Sequence, residues 1–391
     1  MTVVVDREQG LLAEVRAIAS DIAAVHADDV DRAARFPAES INALRAAGAL
    51  SAPVPEALGG GGVSVGAIAE CCHELGRSCG ASAMVFAMHQ IQLLTIIRHL
   101  ERGSWFEGYL QRQVAEGRLI ASVTSEIGTG GDMARSIAAV TPGDDGLLSF
   151  EKQAPTVSYG IYADDLLTTL RRRPEAEPGD QVAVLTHSDQ HSLETTGTWD
   201  VLGMRGTCSP GSVVRARFGA EQVLGTPFAR VAAESMVPLS HILWSHLWLG
   251  IAEDAFDRAR AFVKAAAKRT PGVTPPAAQR LSRLSGELAL LRGLVASGLS
   301  DFEACAEGPD REQLETMSMA LRFNNLKIAA SEQARDVCFG ALDVCGIMGF
   351  KNDTPFSVGR HLRDALSAPL MIANERIQQT NAALLLIAKE V

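Results

Sequence analysis

The chain has 391 residues, 47% of them hydrophobic and 21% charged, with a formal net charge of −10. That length and apolar content call for two or three folding units with their own cores and exclude a disordered chain. The acidic balance excludes a general nucleic-acid binder, because a phosphate backbone needs concentrated positive charge and the densest basic run is only Arg171-Arg172-Arg173.

The opening MTVVVDREQG has neither a basic region nor a long apolar one, so no secretory signal is expected. Leu11, Leu12, Val15 and Ile18 recur with the spacing of one helical face, and a second helix is predicted from Ser40 to a stop at Gly48. The run Gly59-Gly60-Gly61-Gly62 must be loop, and it lacks the Lys-Ser/Thr and the preceding strand of a phosphate-binding loop. Helices are predicted from about Val65 to Gly76 and from Ala81 to Leu100. At Leu119 short β-prone runs begin: Leu119 to Thr124, Gly146 to Phe150, Asp165 to Leu170, Gln181 to Leu185 and Ser212 to Phe218. Strands confined between helical blocks predict a small barrel or sandwich.

Helical periodicity returns at Arg230. Leu249, Ala252, Phe256 and Ala259 share one face, as do Leu284, Leu288, Leu291 and Val295, which predicts a four-helix bundle interrupted at Thr270–Pro276. The uncharged run from Ser235 to Ala252 reaches the lower limit of a membrane span. It carries Pro238, His241, His246 and three serines, however, and leads directly into Glu253-Asp254, so a helix buried in protein is expected. The predicted class is therefore α+β: an N-terminal helical domain (1–118), a central β domain (119–226) and a C-terminal helical bundle (227–391).

Seven cysteines without a regular framework and without any CxxC predict reduced thiols, a cytoplasmic protein and no metal. His241 and His246 are five apart, diverge around a helix and do not form a metal pair.

Four stretches share a further pattern: Phe36-Pro37-Ala38-Glu39 with Leu44, Gly48, Pro55 and Gly59-Gly60; Ser125-Glu126-Ile127-Gly128-Thr129-Gly130-Gly131-Asp132; Trp199-Asp200-Val201-Leu202-Gly203-Met204-Arg205-Gly206-Thr207; and Cys345-Gly346-Ile347-Met348-Gly349-Phe350 followed by Leu362-Arg363-Asp364-Ala365. In this order and spacing, over nearly the whole chain, they resemble the flavin-dependent acyl-CoA dehydrogenase family. The second stretch is similar to the family's Thr-Glu-Pro-Gly-Ala-Gly-Ser-Asp signature. The resemblance implies FAD, an acyl thioester on CoA or a carrier protein as substrate, and a homotetramer or homodimer; it leaves the electron acceptor open.

The same resemblance implies the cofactor contacts. Ser122, Thr124 and Ser125 would face the flavin ring, on a strand-to-turn segment whose backbone amides are free to meet its carbonyls and ring nitrogens. Gly130 and Gly131 would permit close approach. Ser158 takes the place of a flavin-contacting Thr, and Thr156 takes the place of the tryptophan that often covers the flavin. The pyrophosphate-binding Arg of relatives falls at Lys268-Arg269, and Gly346 and Asn374 are the remaining implied contacts.

A dehydrogenase of this kind needs a carboxylate to take the substrate's α-proton. The usual position, nine residues after Arg363, is Ile372, and the alternative position is Ser240. Neither is acidic. Three readings stay open: Glu375 acts as a displaced base; Ser240 or His241 takes part as a polar group; or no proton is abstracted, as in relatives of this fold that use reduced flavin and oxygen as monooxygenases.

Overall fold

The computed structural model describes residues 2–305 and 308–387. Helix α1 (Thr2–Ile18) runs through a π-helical turn (Ala19–Ala23) into α2 (Ala24–Ala33), followed by α3 (Ala38–Ala46), α4 (Val65–Ser78), α5 (Gly80–Arg98) and α6 (Trp105–Glu116). Ser64 starts α4, its Oγ accepting the Ala67 N–H at 3.2 Å, as an N-cap should. Helix α5 is apolar and long enough to cross a membrane, yet it is packed inside the protein almost from end to end. The elements predicted from sequence do not include α6, although Phe106, Tyr109 and Leu110 are spaced on one helical face and buried.

Two sheets follow. One has the order β1 (Ile120–Val123), β4 (Asp165–Arg171), β5 (Gln181–His187), with β1 parallel to β4 and β5 antiparallel to it. The other is antiparallel, with the order β2 (Thr141–Pro142), β3 (Leu148–Ala154), β7 (Ser212–Phe218), β6 (His191–Thr195). The sheets face each other across Lys152 on β3, whose buried Nζ donates to the Thr169 carbonyl of β4 at 2.7 Å. Burial pushes that ammonium's pKa down to about 8, and Glu126, 3.6 Å away, opposes the shift. Glu126 is itself buried. It accepts the Ser136 hydroxyl and the Ile137 and Ala138 N–H groups, and so fastens both ends of the glycine-bearing loop that opens at Ser125.

After the short α7 (Phe228–Val231) comes α8 (Val237–Arg269), whose first half is buried on all sides and whose second half is half-exposed. Helices α9 (Ala277–Cys305) and α10 (Met317–Cys345) pack beside it. After the one-turn α11 (Ile347–Phe350), α12 (Gly359–Ser367) and α13 (Asn374–Leu385) close the bundle. The uncharged run of the sequence is thus a core helix whose polar side chains bond within the protein.

The N-terminal helices and the bundle meet where α4 crosses α8. A Cβ on Gly76 would lie 2.4 Å from the Leu247 carbonyl oxygen, and one on Gly250 would lie 2.2 Å from that of His73. The two backbones can approach this closely only because both positions lack a side chain. Beside the crossing, Glu253 is bonded to His73 (2.9 Å), Arg77 (2.6 Å) and Arg292 (2.6 Å). Burial alone would raise its pKa, but these partners outweigh burial and hold it near 2.

Gly250→Ala should therefore lower the unfolding free energy by ~1–3 kcal/mol through overpacking against backbone. Gly286→Ala, on the exposed side of α9 with nothing within 4 Å, should raise it by ~0.5–1 kcal/mol. Denaturant unfolding of both variants checks the contrast, and equal effects would contradict the packing described.

Candidate functional site

A cleft of about 690 Å³ opens where the sheets, the N-terminal helices and the bundle converge. Its inner wall is apolar: Met84, Met88 and Ile91 on α5, and Met236 and Trp244 at the start of α8. Its opposite wall belongs to the β region and is polar. Ser122 and Thr124 line it, followed by Ser125, Thr156 and Ser158. Ser125 Oγ donates to the Thr156 carbonyl at 2.8 Å, which ties the end of β1 to the segment after β3. Ser209 Oγ lies 2.9 Å from both Ser158 Oγ and Thr207 Oγ1, and Thr207 in turn donates to the Met204 carbonyl. Among the described residues, the backbone N–H groups of Ser125, Thr156 and Ser158 donate to no protein acceptor.

This donor set fits a flavin, whose ring edge carries carbonyl oxygens and unprotonated nitrogens in need of donors. These residues would hold the flavin, and the methionine-lined part of the cleft would suit an apolar molecule. Of the cofactor contacts implied by the sequence, Ser122, Thr124, Ser125, Gly131, Thr156 and Ser158 all line the cleft. Gly130 lies in the adjoining turn, at positive φ, without lining it.

The remaining implied contacts do not converge there within one chain. Lys268 and Arg269 end α8, about 42 Å along its axis from Ser240 at ~1.5 Å per residue. Gly346 is exposed at the end of α10 and lies outside the lining. Asn374 is buried behind the cleft wall, where its Oδ1 accepts from Lys327 Nζ at 2.7 Å and its amide donates to Ser331. It is a structural clamp on this face, not a cleft contact.

The candidate bases fare differently. Glu375 is exposed and points away from the cleft, because the first turn of α13 rotates it to the outside. Ser240 does line the cleft, but its hydroxyl donates to the Met236 carbonyl one turn back, at 2.6 Å. His241, one residue on, turns away from the cleft into the core, where its Nδ1 donates to the Phe323 carbonyl at 3.0 Å. Burial, helped by the Lys327 charge, pushes its pKa down to about 3, so it stays neutral and hydrogen-bonded. No Asp, Glu, His, Lys, Cys or Tyr lines the cleft among the described residues; its charged groups are Arg363 and Arg376. Nor is any group of three His, Cys, Asp or Glu among them placed to hold a metal.

Ile372, at the position where relatives are expected to carry their carboxylate, lies on the cleft lining at φ 47°, a strained conformation for a β-branched residue. Its segment is held from behind by Lys327, whose buried Nζ donates to the Ala368 carbonyl at 3.2 Å as well as to Asn374. Next to it, Asp364 Oδ1 accepts the Met204 N–H at 2.6 Å, and a Cβ on Gly203 would lie 1.9 Å from the Arg363 carbonyl oxygen. No sequence signal marks Arg376 or the methionines of α5, which only the folded chain brings to the cleft, whereas Trp199 opens one of the four family-like stretches.

Comparison with known proteins gives the same family at both ends of the chain. The profile of the acyl-CoA dehydrogenase N-terminal domain matches residues 6–103, and that of the C-terminal domain matches residues 231–381, together more than half of the chain. The probable acyl-CoA dehydrogenase fadE25 of Mycobacterium leprae (strain TN) is 26% identical over 381 residues, covering 94% of this chain and 92% of the relative. The dibenzothiophene monooxygenase of Mycolicibacterium goodii is 27% identical over 351 residues, covering 82% of this chain and 80% of the relative. Among solved structures, FMN-bound TdsC from Paenibacillus sp. A11-2 superposes with a TM-score of 0.80 at 20% identity, covering 96% of this chain and 97% of that one, which shows the fold.

The Asp364 contact carries a pH prediction. Burial raises this carboxyl's pKa to about 6 from its ordinary 3.8, against the pull of Arg360. Because the folded pKa lies above the unfolded one, its contribution to stability is fully present below about pH 4 and is lost as pH rises through 6. Asp364→Asn keeps an acceptor for the Met204 N–H and should flatten that part of the pH–stability curve. Denaturant unfolding at intervals from pH 4 to pH 7 checks it, and an unchanged slope in the variant would contradict the assignment.

Proposed function

The chain belongs to the acyl-CoA dehydrogenase family, and from that premise we propose that it is a flavin-dependent oxidoreductase acting on a largely apolar substrate in the cleft. The observation that carries this reading is that one cleft combines hydroxyls and backbone N–H groups without protein acceptors with an apolar, methionine-rich lining. When bound, the flavin supplies hydride acceptance or, once reduced, oxygen activation. Ser122, Thr124, Ser125, Thr156 and Ser158 hold and orient it; Met84, Met88, Met236 and Trp244 exclude water from the reacting carbon.

Family membership supports FAD as the flavin and an acyl thioester, on CoA or a carrier protein, as the substrate. Lys268, Arg269 and Gly346 reach a flavin only if they come from a second copy of the chain, which supports a homodimer or homotetramer. Seven buried free thiols support a reducing, cytoplasmic setting.

Oxidation of an acyl CH–CH bond is the chemistry that the dehydrogenase relatives support, and it requires a proton acceptor near the α-carbon. Among the described residues the cleft offers none, so in the native protein a water molecule would have to take that proton. This one observation favours a second reading, oxygenation of an apolar substrate, which needs no carboxylate. The monooxygenase among the relatives supports it as well.

Ile372→Glu separates the two. Under anaerobic conditions the flavin-loaded native protein should bleach slowly with an acyl-thioester panel. The variant should bleach ~10²-fold faster or more, since a positioned base is worth about that much. Its carboxyl, buried beside the cofactor, would have a raised pKa suited to accepting a proton near neutral pH. Bleaching of the native protein at the variant's rate would contradict a base-free cleft. No bleaching by either, with oxygen consumed in the presence of reduced flavin and an apolar substrate, would establish the oxygenase reading.

A further inference from the structure

Two polar atoms on the apolar side of the cleft have no partner. Among the cleft-lining side chains of the described residues, the buried atoms without a hydrogen bond are Gln92 Oε1 and Trp244 Nε1. Gln92 is only 3% exposed, so solvent does not compensate it. It follows Met84 and Met88 at intervals of four along α5, and places an amide at the end of an otherwise apolar stripe of the lining.

The NH2 group of Gln92 reaches the Met88 carbonyl at 3.4 Å. That contact fixes which way the amide points, because a carbonyl only accepts, and it leaves Oε1 as an acceptor without a donor. The contact is long and the last torsion of a glutamine is broad, so the amide can turn toward a ligand.

Helix α8 stands opposite. Arg98 Nε donates to Ser235 Oγ at 3.1 Å, and at the other end of α5 a Cβ on Gly80 would lie 3.1 Å from Ile251 Cδ1. The two helices therefore run antiparallel, with Gln92 level with Ser240. The Ser240 proton is already given to the Met236 carbonyl, so Gln92 receives none from it. Trp244, four residues further along α8, adds an N–H that lacks an acceptor. A polar atom buried without a bond is costly, and a ligand that supplies the missing partner removes that cost. The lining lacks one donor and one acceptor, and a hydroxyl group is both.

We propose that Gln92 is a specificity-determining residue and that the substrate is an apolar molecule bearing a hydroxyl group, which donates to Gln92 Oε1. Trp244 Nε1 offers a donor to oxygen on the same side of the cleft. A plain hydrocarbon leaves both atoms unpaired and is discriminated against. The inference rests on the reading of the cleft as the substrate site of a flavin enzyme, and it is tested by binding, independently of turnover.

The experiment titrates the flavin-loaded native protein and Gln92→Leu calorimetrically with naphthalene, 1-naphthol and 1-methoxynaphthalene, an ether that has the oxygen but no proton to donate. Flavin loading is followed beforehand by fluorescence, and folding by thermal unfolding. Satisfying a buried acceptor corresponds to ~10- to 100-fold in affinity. The native protein should therefore bind 1-naphthol tighter than naphthalene by about that factor, with 1-methoxynaphthalene well short of 1-naphthol. Gln92→Leu should remove most of the preference, bind naphthalene at least as tightly, and unfold at the same temperature or a higher one, since it no longer buries an unpaired oxygen. Equal affinity of the native protein for all three compounds would overturn the proposal, as would the ether binding as tightly as 1-naphthol. So would a folded Gln92→Leu that keeps the native preference. Loss of folding in that variant would assign the amide to the core and overturn it too. No flavin bound by the native protein would overturn the flavin reading and this inference with it, whereas flavin bound without a preference for 1-naphthol would overturn this inference alone.

Discussion

The cleft exists because one dipeptide joins three parts of the chain. Arg363 bonds to Asp31 of α2 and to the Leu202 carbonyl, while Asp364 accepts the Met204 N–H. The N-terminal helices, the β region and the bundle therefore share a single joint at the start of the cleft wall. Asp364 holds that joint from a fully buried position, at the cost of a raised pKa, and its geometry leaves no room at Gly203 for a side chain. Any displacement here would separate the donor wall of Ser125–Ser158 from the apolar wall of α5 and α8.

Behind the cleft, Lys327 performs a comparable task on the segment that follows. A buried ammonium is costly unless its hydrogens are used. Here two go to the Ala368 carbonyl and Asn374 Oδ1, and the group also lies 5.9 Å from the centre of the Trp248 ring. Burial still pushes its pKa down to about 8. The clamp fixes the turn that presents Ile372 at a left-handed φ to the cleft. The backbone thus delivers a side chain to the place where a base would act, and the side chain delivered is aliphatic. An aliphatic residue at this place is compatible with both the dehydrogenase and the oxygenase readings.

Much of this was legible in the sequence. Helical faces such as Leu284, Leu288, Leu291 and Val295 are buried as their spacing requires, and five of the strands lie where β-prone runs predicted them. β6, His191–Thr195, escaped because an edge strand with mostly exposed side chains carries no apolar alternation. The polar wall was found through its motif, since strand-end hydroxyls and a glycine turn leave a contiguous trace in the chain. The base candidates were not resolvable in the same way. Ser240 and His241 are neighbours in sequence, yet they are about 100° apart around a helix, so one faces the cleft and the other the core. Glu375 misses the cleft by a fraction of a turn. Lys268 lies at the far end of α8 from the cleft, a separation that no local pattern records.

The central claim is that no side chain of the native cleft removes a substrate α-proton. The most direct measurement is exchange of that proton with deuterium from solvent, followed by NMR on an acyl thioester incubated anaerobically with the flavin-loaded protein. The account predicts exchange at the rate of buffer alone for the native chain and protein-dependent exchange once Ile372 is replaced by Glu. Rapid exchange catalysed by the native protein would show that a base is present after all and would contradict the account.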